Sequence, residues 1–221
     1  MSAQHHPSDE TLLRVAAGNL PAGPSVVVRA HMDGCAICRA RLTTFEAVGG
    51  ALLQQLPPVP LRADSLERAL ARVDSEVSSD ENSNERRPRR SSASNARDIV
   101  LPRSLQSYTI GPWRWLGPGI RRSRIALPES PDANVMLLRI GANRKLPEHG
   151  HTGTEFTLVI AGSYSDAAGR YLPGDLTEAD ASVEHQPVVD PDGECICLAA
   201  TEGQMRLVGF FGRLMQPFIR L

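Results

Sequence analysis

Residues 77–98 run V-S-S-D-E-N-S-N-E-R-R-P-R-R-S-S-A-S-N-A-R-D, with no aromatic side chain and almost no large apolar one. Such a run cannot bury enough surface to offset the entropy of ordering its backbone. It reads as a flexible linker, and it divides a 221-residue chain into two units of different character. The expected fold class is two-domain, α plus β: a small helical bundle over 1–76, the linker over 77–98, and an all-β unit over 99–221. The arginine cluster Arg86, Arg87, Arg89 and Arg90 reads as part of a solvated tether rather than as a nucleic-acid contact.

The first unit carries helical periodicity. Residues 9–17 place Leu12, Leu13 and Ala16 at helical spacing, with Ser8 as N-cap and Gly18-Asn19 as the stop. A second helix starts near Pro24 and is rich in valine. A third covers about 39–56, with Leu42, Phe45, Val48 and Leu52 on one side. Pro57-Pro58-Val59-Pro60 then forces a stiff, extended spacer. Beyond it, 61–76 has an apolar stripe of Leu66, Ala69, Leu70 and Val73 among Arg, Asp and Glu. That stripe fits either its own unit or the groove of another protein.

Between the second and third helices stands H-M-D-G-C-A-I-C, with His31, Cys35 and Cys38. On a continuous helix, positions i, i+4 and i+7 lie within roughly 60° of one another. One helical face, or a helix start with its first turn, can thus present an imidazole and two thiolates to one ion. A closed structural zinc site takes four such ligands, and His5 and His6 stand upstream to supply the fourth. A thioredoxin-like C-x-x-C belongs in a βαβ context, which these helical surroundings are not.

From about Ile99 the pattern changes. Gly111-Pro112, Gly117-Pro118-Gly119, Pro173-Gly174-Asp175 and Pro191-Asp192-Gly193 punctuate short apolar runs such as V-M-L-L-R-I, F-T-L-V-I, C-I-C-L-A and L-V-G-F-F. Short strands between Gly/Pro turns predict a sandwich or barrel. Within it, His149, His151 and Glu155 share parity, so an extended chain points them to one face. His185 lies beyond the next turn, where a neighbouring strand can bring it across. Three imidazoles and a carboxylate suit Zn, Mn, Fe, Ni or Cu. Cys195 and Cys197 share a face of another strand, either as core packing or as a candidate redox pair.

These motifs resemble two known families. H-x-x-x-C-x-x-C with an upstream histidine resembles the zinc-binding anti-sigma domain, a three-helix bundle plus a fourth helix on an extended connection. The resemblance implies His6, His31, Cys35 and Cys38 as ligands of Zn2+. H-x-H-x-x-x-E followed by P-G-D resembles the first and second motifs of the cupin barrel. It implies His149, His151, Glu155 and His185 as ligands of Zn2+ or another divalent metal (Mn, Fe, Ni). His185 follows the Gly-Asp pair by more than the usual spacing. The combination resembles ChrR-type anti-sigma factors. It implies a protein that binds an extracytoplasmic-function sigma factor as a 1:1 complex and occludes its RNA polymerase contacts. Release then follows oxidative stress such as singlet oxygen.

Composition narrows the alternatives. A formal net charge of -1 offers no basic field for direct nucleic-acid binding. The first motif also lacks a zinc finger's second histidine pair and a basic recognition helix. No signal peptide and no membrane span are evident, so a cytoplasmic protein is expected, with its cysteines reduced. The rival is a metal-dependent cupin enzyme, a dioxygenase or isomerase, with an accessory zinc domain. The order of the modules and the lack of a cofactor motif lead to the expectation that the chain is not an enzyme.

Overall fold

The computed structural model describes residues 3–83 and 99–207, and of 75–83 only the backbone. The arginine cluster and the part of L-V-G-F-F beyond Leu207 lie outside the described residues.

Four helices come first: α1 (Asp9–Ala16), α2 (Ala22–Gly34), α3 (Ala36–Gln54) and α4 (Ser65–Ser83). The last continues seven residues beyond 76. Ser8 caps α1 by accepting from the Thr11 N–H, Asp9 and Glu10 occupy the first turn, and Arg14 the last. Gly18, at φ +69°, ends that segment in the left-handed region that glycine tolerates. Helix α2 starts after Pro21, with Pro24 inside its first turn, where a missing N–H costs nothing. It is buried on nearly every side, through Val26, Val27, Val28, Ala30, His31 and Met32. A helix that is apolar all round must lie between two layers.

Those layers are α3 and a sheet. Twelve strands follow: β1 (Thr109–Ile110), β2 (Arg114–Gly117), β3 (Ile120–Ala126), β4 (Val135–Ile140), β5 (His149–His151), β6 (Glu155–Ala161), β7 (Tyr164–Asp166), β8 (Gly169–Tyr171), β9 (Leu176–Ala179), β10 (Val188–Val189), β11 (Cys195–Thr201) and β12 (Met205–Leu207). A seven-stranded sheet runs β1-β3-β4-β11-β6-β9, with β2 also on β3. Smaller sheets pair β10-β7-β8 and β12-β5, and every named pairing is antiparallel.

The expected tether joins units that are docked. Leu12, Val27 and Val28 share one apolar cluster with Val135, Phe156, Leu158 and Leu198. At Gly23, a Cβ would meet the Val135 Cγ2 at 3.2 Å, so glycine lets the start of α2 approach β4 closely. The chain re-enters beneath α2, where Asp33 accepts from the Ser104 N–H at 2.8 Å. On the other side the N-terminal arm runs along β9: the Leu176 N–H donates to the His5 carbonyl at 3.1 Å, and the Ser8 N–H to Glu178 at 3.0 Å.

The later turns of α3 and the first part of α4 behave differently. Leu42 and Phe45 pack against the core, but Val48, Leu52, Leu53 and Leu56 are exposed. Leu66, Leu70 and Val73 of α4 are also exposed, as are Val59 and Leu61 of the spacer. The side that sequence periodicity groups as one stripe on α3 is thus half core, half open surface.

Candidate metal centres

The first cluster forms where α2 stops. His31 lies on the last turn of α2, Cys35 leaves the helix at φ -106° and ψ 102° and caps α3, and Cys38 sits in the first turn of α3. The realised geometry is therefore the broken helix, with the second helix restarting at the cysteines. His6 arrives from the N-terminal arm. One ligand atom from each of His6, His31, Cys35 and Cys38 lies within 4.8 Å of all the others. His6 Nδ1 is 3.4 Å from His31 Nε2, from Cys35 Sγ and from Cys38 Sγ. His31 Nε2 is 3.4 Å from Cys38 Sγ. His5 does not join them: its ring turns to Asp175, 3.2 Å away.

Two features prepare this cluster for an ion. His31 Nδ1 donates to the Gly174 carbonyl at 2.8 Å, which leaves Nε2 with its lone pair facing the cluster. Burial lowers the His31 pKa and so favours the neutral ring that ligates. Cys38 is pushed up to about 12, first by burial and then by the neighbouring Cys35 thiol. A metal ion reverses that direction, because a coordinating thiol is deprotonated outright.

The second cluster lies in the β unit. His149 and His151 sit on β5, Glu155 opens β6, and a bend at 152–154 separates them. The chain does not stay extended past Gly153. Glu155 joins because its own strand begins there. His185 crosses by an isolated antiparallel bridge to His149, each N–H donating to the other's carbonyl at 3.0–3.1 Å. The rings then meet: His149 Nε2 is 3.2 Å from His185 Nε2, and Glu155 Oε2 is 3.4 Å from His151 Nε2 and 3.6 Å from His185 Nε2.

The outer nitrogens of His149 and His185 are anchored, as is usual for ligating histidines. His149 Nδ1 donates to the Pro147 carbonyl at 2.7 Å, and His185 Nδ1 faces Asp166 Oδ2 at 3.3 Å. Asp166 in turn accepts from the Tyr171 hydroxyl. His151 is buried with neither ring nitrogen hydrogen-bonded, a costly state for a polar group that lacks another partner. Burial lowers the pKa of His149 and His151. For Glu155, burial alone would raise the pKa, but His185, His151 and His149 together hold it below the usual carboxylate range. A cavity of about 730 Å3 opens beside His149 and Glu155, with apolar walls such as Leu116, Met136 and Leu138 and with Arg144 and Lys145 among its lining.

Cys195 and Cys197 lie 3.5 Å apart, Sγ to Sγ, on β11. Both are buried, in a second apolar cluster with Tyr164, Tyr171 and Val189. The Cys195 thiol, then burial, raises the Cys197 pKa. A buried thiol with a raised pKa, as at Cys197, is the reverse of the exposed thiolates that oxidants reach first.

Sequence reasoning missed the contacts between the units, above all the Asp175 and Gly174 groups that reach His5 and His31. The P-G-D string was visible, but nothing local indicated what it faces.

A helical unit with a His2Cys2 cluster, three of its four members buried, is thus docked on a β fold with a His3Glu cluster. Residues 105–205 match the ChrR cupin-like domain family. The chain is 38% identical over 227 residues to the anti-sigma-E factor ChrR of Cereibacter sphaeroides, covering 100% of both. It belongs to the ChrR family of anti-sigma factors. It is also similar to ChrR as seen in the crystal structure of Rhodobacter sphaeroides SigE in complex with the anti-sigma ChrR. There the TM-score is 0.69 and the identity 34%, covering 91% of this chain and 100% of that one.

These findings correct one expectation. Module order and the lack of a cofactor motif led to the expectation that the chain is not an enzyme, and that expectation is withdrawn. The full-length match puts kinship to a regulator family in its place, which is a different statement from the absence of turnover at the His3Glu cluster. Among the described residues, no helix is long and apolar enough to cross a membrane.

Proposed function

We propose that this chain is a cytoplasmic anti-sigma factor that binds one extracytoplasmic-function sigma factor in a 1:1 complex and keeps it from RNA polymerase. Full-length kinship with an anti-sigma factor supports the partner class. The observation that carries the reading is the exposed apolar ridge on the last turns of α3, the proline spacer and α4. Leu52, Leu56, Leu61, Leu66 and Leu70 are all between 56% and 83% exposed. Large apolar side chains left exposed in this number mark an interaction site, and α4 with its stripe suits the helix-in-groove mode.

In this reading the first cluster holds Zn2+ through His6, His31, Cys35 and Cys38. The residues fit the ion. Tetrahedral zinc with ordinary Zn–N and Zn–S bonds sets N–N and N–S ligand pairs about 3.3–3.6 Å apart, and the four such edges given above are 3.4 Å. The ion would tie the N-terminal arm, α2 and the first turn of α3 together. The second cluster would hold zinc or another divalent metal (Mn, Fe, Ni) through His149, His151, Glu155 and His185, and the unpartnered ring of His151 supports an ion there. We assign the response to oxidative stress, singlet oxygen included, to this second cluster rather than to Cys195 and Cys197, which are buried.

Co-purification tests the reading. The wild-type chain should capture an extracytoplasmic-function sigma factor, and the Cys35→Ala, Cys38→Ala variant should not. His149→Ala should still capture it but fail to release it under singlet oxygen. Capture by the cysteine variant at wild-type strength would sink the zinc-clamp reading.

A further inference from the structure

All four ligands of the first cluster belong to the helical unit, yet the groups that aim two of them belong to the β unit. Asp175 is buried in the turn between β8 and β9. Its Oδ1 accepts from the Gln4 N–H at 2.6 Å and from the His5 N–H at 3.0 Å. Its Oδ2 lies 3.2 Å from His5 Nδ1 and also accepts from the Leu172 N–H at 2.9 Å, which closes the turn. The His5 ring packs edge-on against Tyr171, with centroids 4.7 Å apart. The next residue along this gripped arm is His6. One residue before Asp175, the Gly174 carbonyl accepts a hydrogen bond from the His31 Nδ1–H at 2.8 Å.

We propose that the turn 172–175, through Asp175 and the Gly174 carbonyl, is a positioning element of the first metal centre, so that the β unit completes a site it does not ligate. The physical case is one of entropy and orientation. His6 sits on a terminal arm, and such segments stay poorly ordered unless tied down. Without the clamp, binding an ion must order residues 3–6 at the moment of coordination. With it, the Nδ1 of His6 is already in place. The Gly174 bond does the corresponding work for His31 by fixing which nitrogen faces inward. Metal affinity at a helical site thereby depends on the fold of the opposite unit.

This inference rests on the reading that His6, His31, Cys35 and Cys38 hold a metal ion, and the test separates the two. The full chain carrying His149→Ala and His151→Ala, to silence the second cluster, is loaded with Co2+. Thiolate-to-cobalt charge-transfer bands then report binding through the cysteines, and the d–d bands report the remaining ligands. In this background Asp175→Ala should weaken Co2+ binding about 10–100-fold in competition with a chelator, the usual effect of removing a group that orients a ligand. It should also alter the d–d bands as solvent replaces His6, while the thiolate bands persist. Asp175→Asn, which keeps an acceptor for the Gln4 and His5 N–H groups, should recover part of the loss.

Asp175 also closes its own turn, so Asp175→Ala could unfold the β unit. Gln4→Pro covers that outcome, since it removes one donor from an exposed residue and leaves the β unit untouched. It should weaken binding by a smaller factor in the same direction. Wild-type affinity and bands in a folded Asp175→Ala chain, or in Gln4→Pro if Asp175→Ala does not fold, would overturn the proposal. Absence of thiolate bands in the starting chain would instead overturn the metal centre itself, and the proposal with it.

Discussion

Replacing Leu66 and Leu70 together with alanine should weaken sigma-factor binding and leave the fold intact. The two residues stand four apart on α4, so they share a face, and they are 72% and 56% exposed. Fully burying a leucine is worth about 1.5–3 kcal/mol. Scaled by exposed fraction, Leu66 offers roughly 1–2 kcal/mol to a partner and Leu70 slightly less. Alanine keeps one carbon of each side chain, so the pair should cost about 2–3 kcal/mol, roughly a 30- to 150-fold rise in Kd. Folding should change by less than about 0.5 kcal/mol, because exposed positions contribute little and alanine is at least as good a helix former. Titration calorimetry against the co-purified sigma factor reads the first quantity, and thermal melting reads the second. Trp115, 73% exposed on β2 of the other unit, is the control: Trp115→Ala should leave Kd unchanged. A Leu66→Ala, Leu70→Ala chain that binds within twofold of wild type, with an unchanged melting curve, would refute the assignment of the ridge as the docking face.

Removing metal with a chelator should lower the melting temperature of the full chain, since an ion bound only in the folded state stabilises it by mass action. The part of that shift owed to the first cluster should vanish in Cys35→Ser, Cys38→Ser, and a melting curve indifferent to chelator in the wild type would count against both centres. Asp190 should link stability to pH. The Ser163 hydroxyl first, then Arg170 and the Ser165 hydroxyl, hold its carboxyl below the usual range. A lowered folded pKa gives stability that is present above the ordinary Asp value of about 3.9 and lost as pH falls through the folded value. The urea midpoints of wild type and Asp190→Asn should therefore differ at pH 7 and converge as pH falls through the lowered folded value, and a gap that does not narrow in acid would contradict this. Cys195 and Cys197 should react with iodoacetamide only after unfolding in urea; rapid labelling of the native chain at either residue would show that the β11 core opens.

The candidate metal clusters were legible because local spacing carried most of their members. H-x-x-x-C-x-x-C and H-x-H-x-x-x-E each pack most of a donor set into a few residues, and ligand chemistry restricts which side chains can serve. Helix ends were legible for the same reason: Ser8, Gly18, Pro24 and the Pro57–Pro60 spacer act on backbone within a turn of themselves. Where the local rule was ambiguous, two geometries stayed open. A continuous helix and a broken one both satisfy the His31–Cys35–Cys38 spacing, and only the extended backbone at Cys35 selects the second.

The sequence by itself determined which side chains group into candidate metal clusters, about where the helices lie, and that two kinds of unit flank a polar run. The tertiary structure alone decided that α2 lies on the sheet, that His6 rather than His5 enters the first cluster, and that His185 meets His149. It also decided that the thiols of β11 are sealed in a core and that a turn of the β unit grips the N-terminal arm. Each of these depends on groups far apart in the chain, such as the 170 residues between His5 and Asp175. Propensity and spacing act over a few residues, whereas a contact of that separation exists only once packing has closed the loop between its partners.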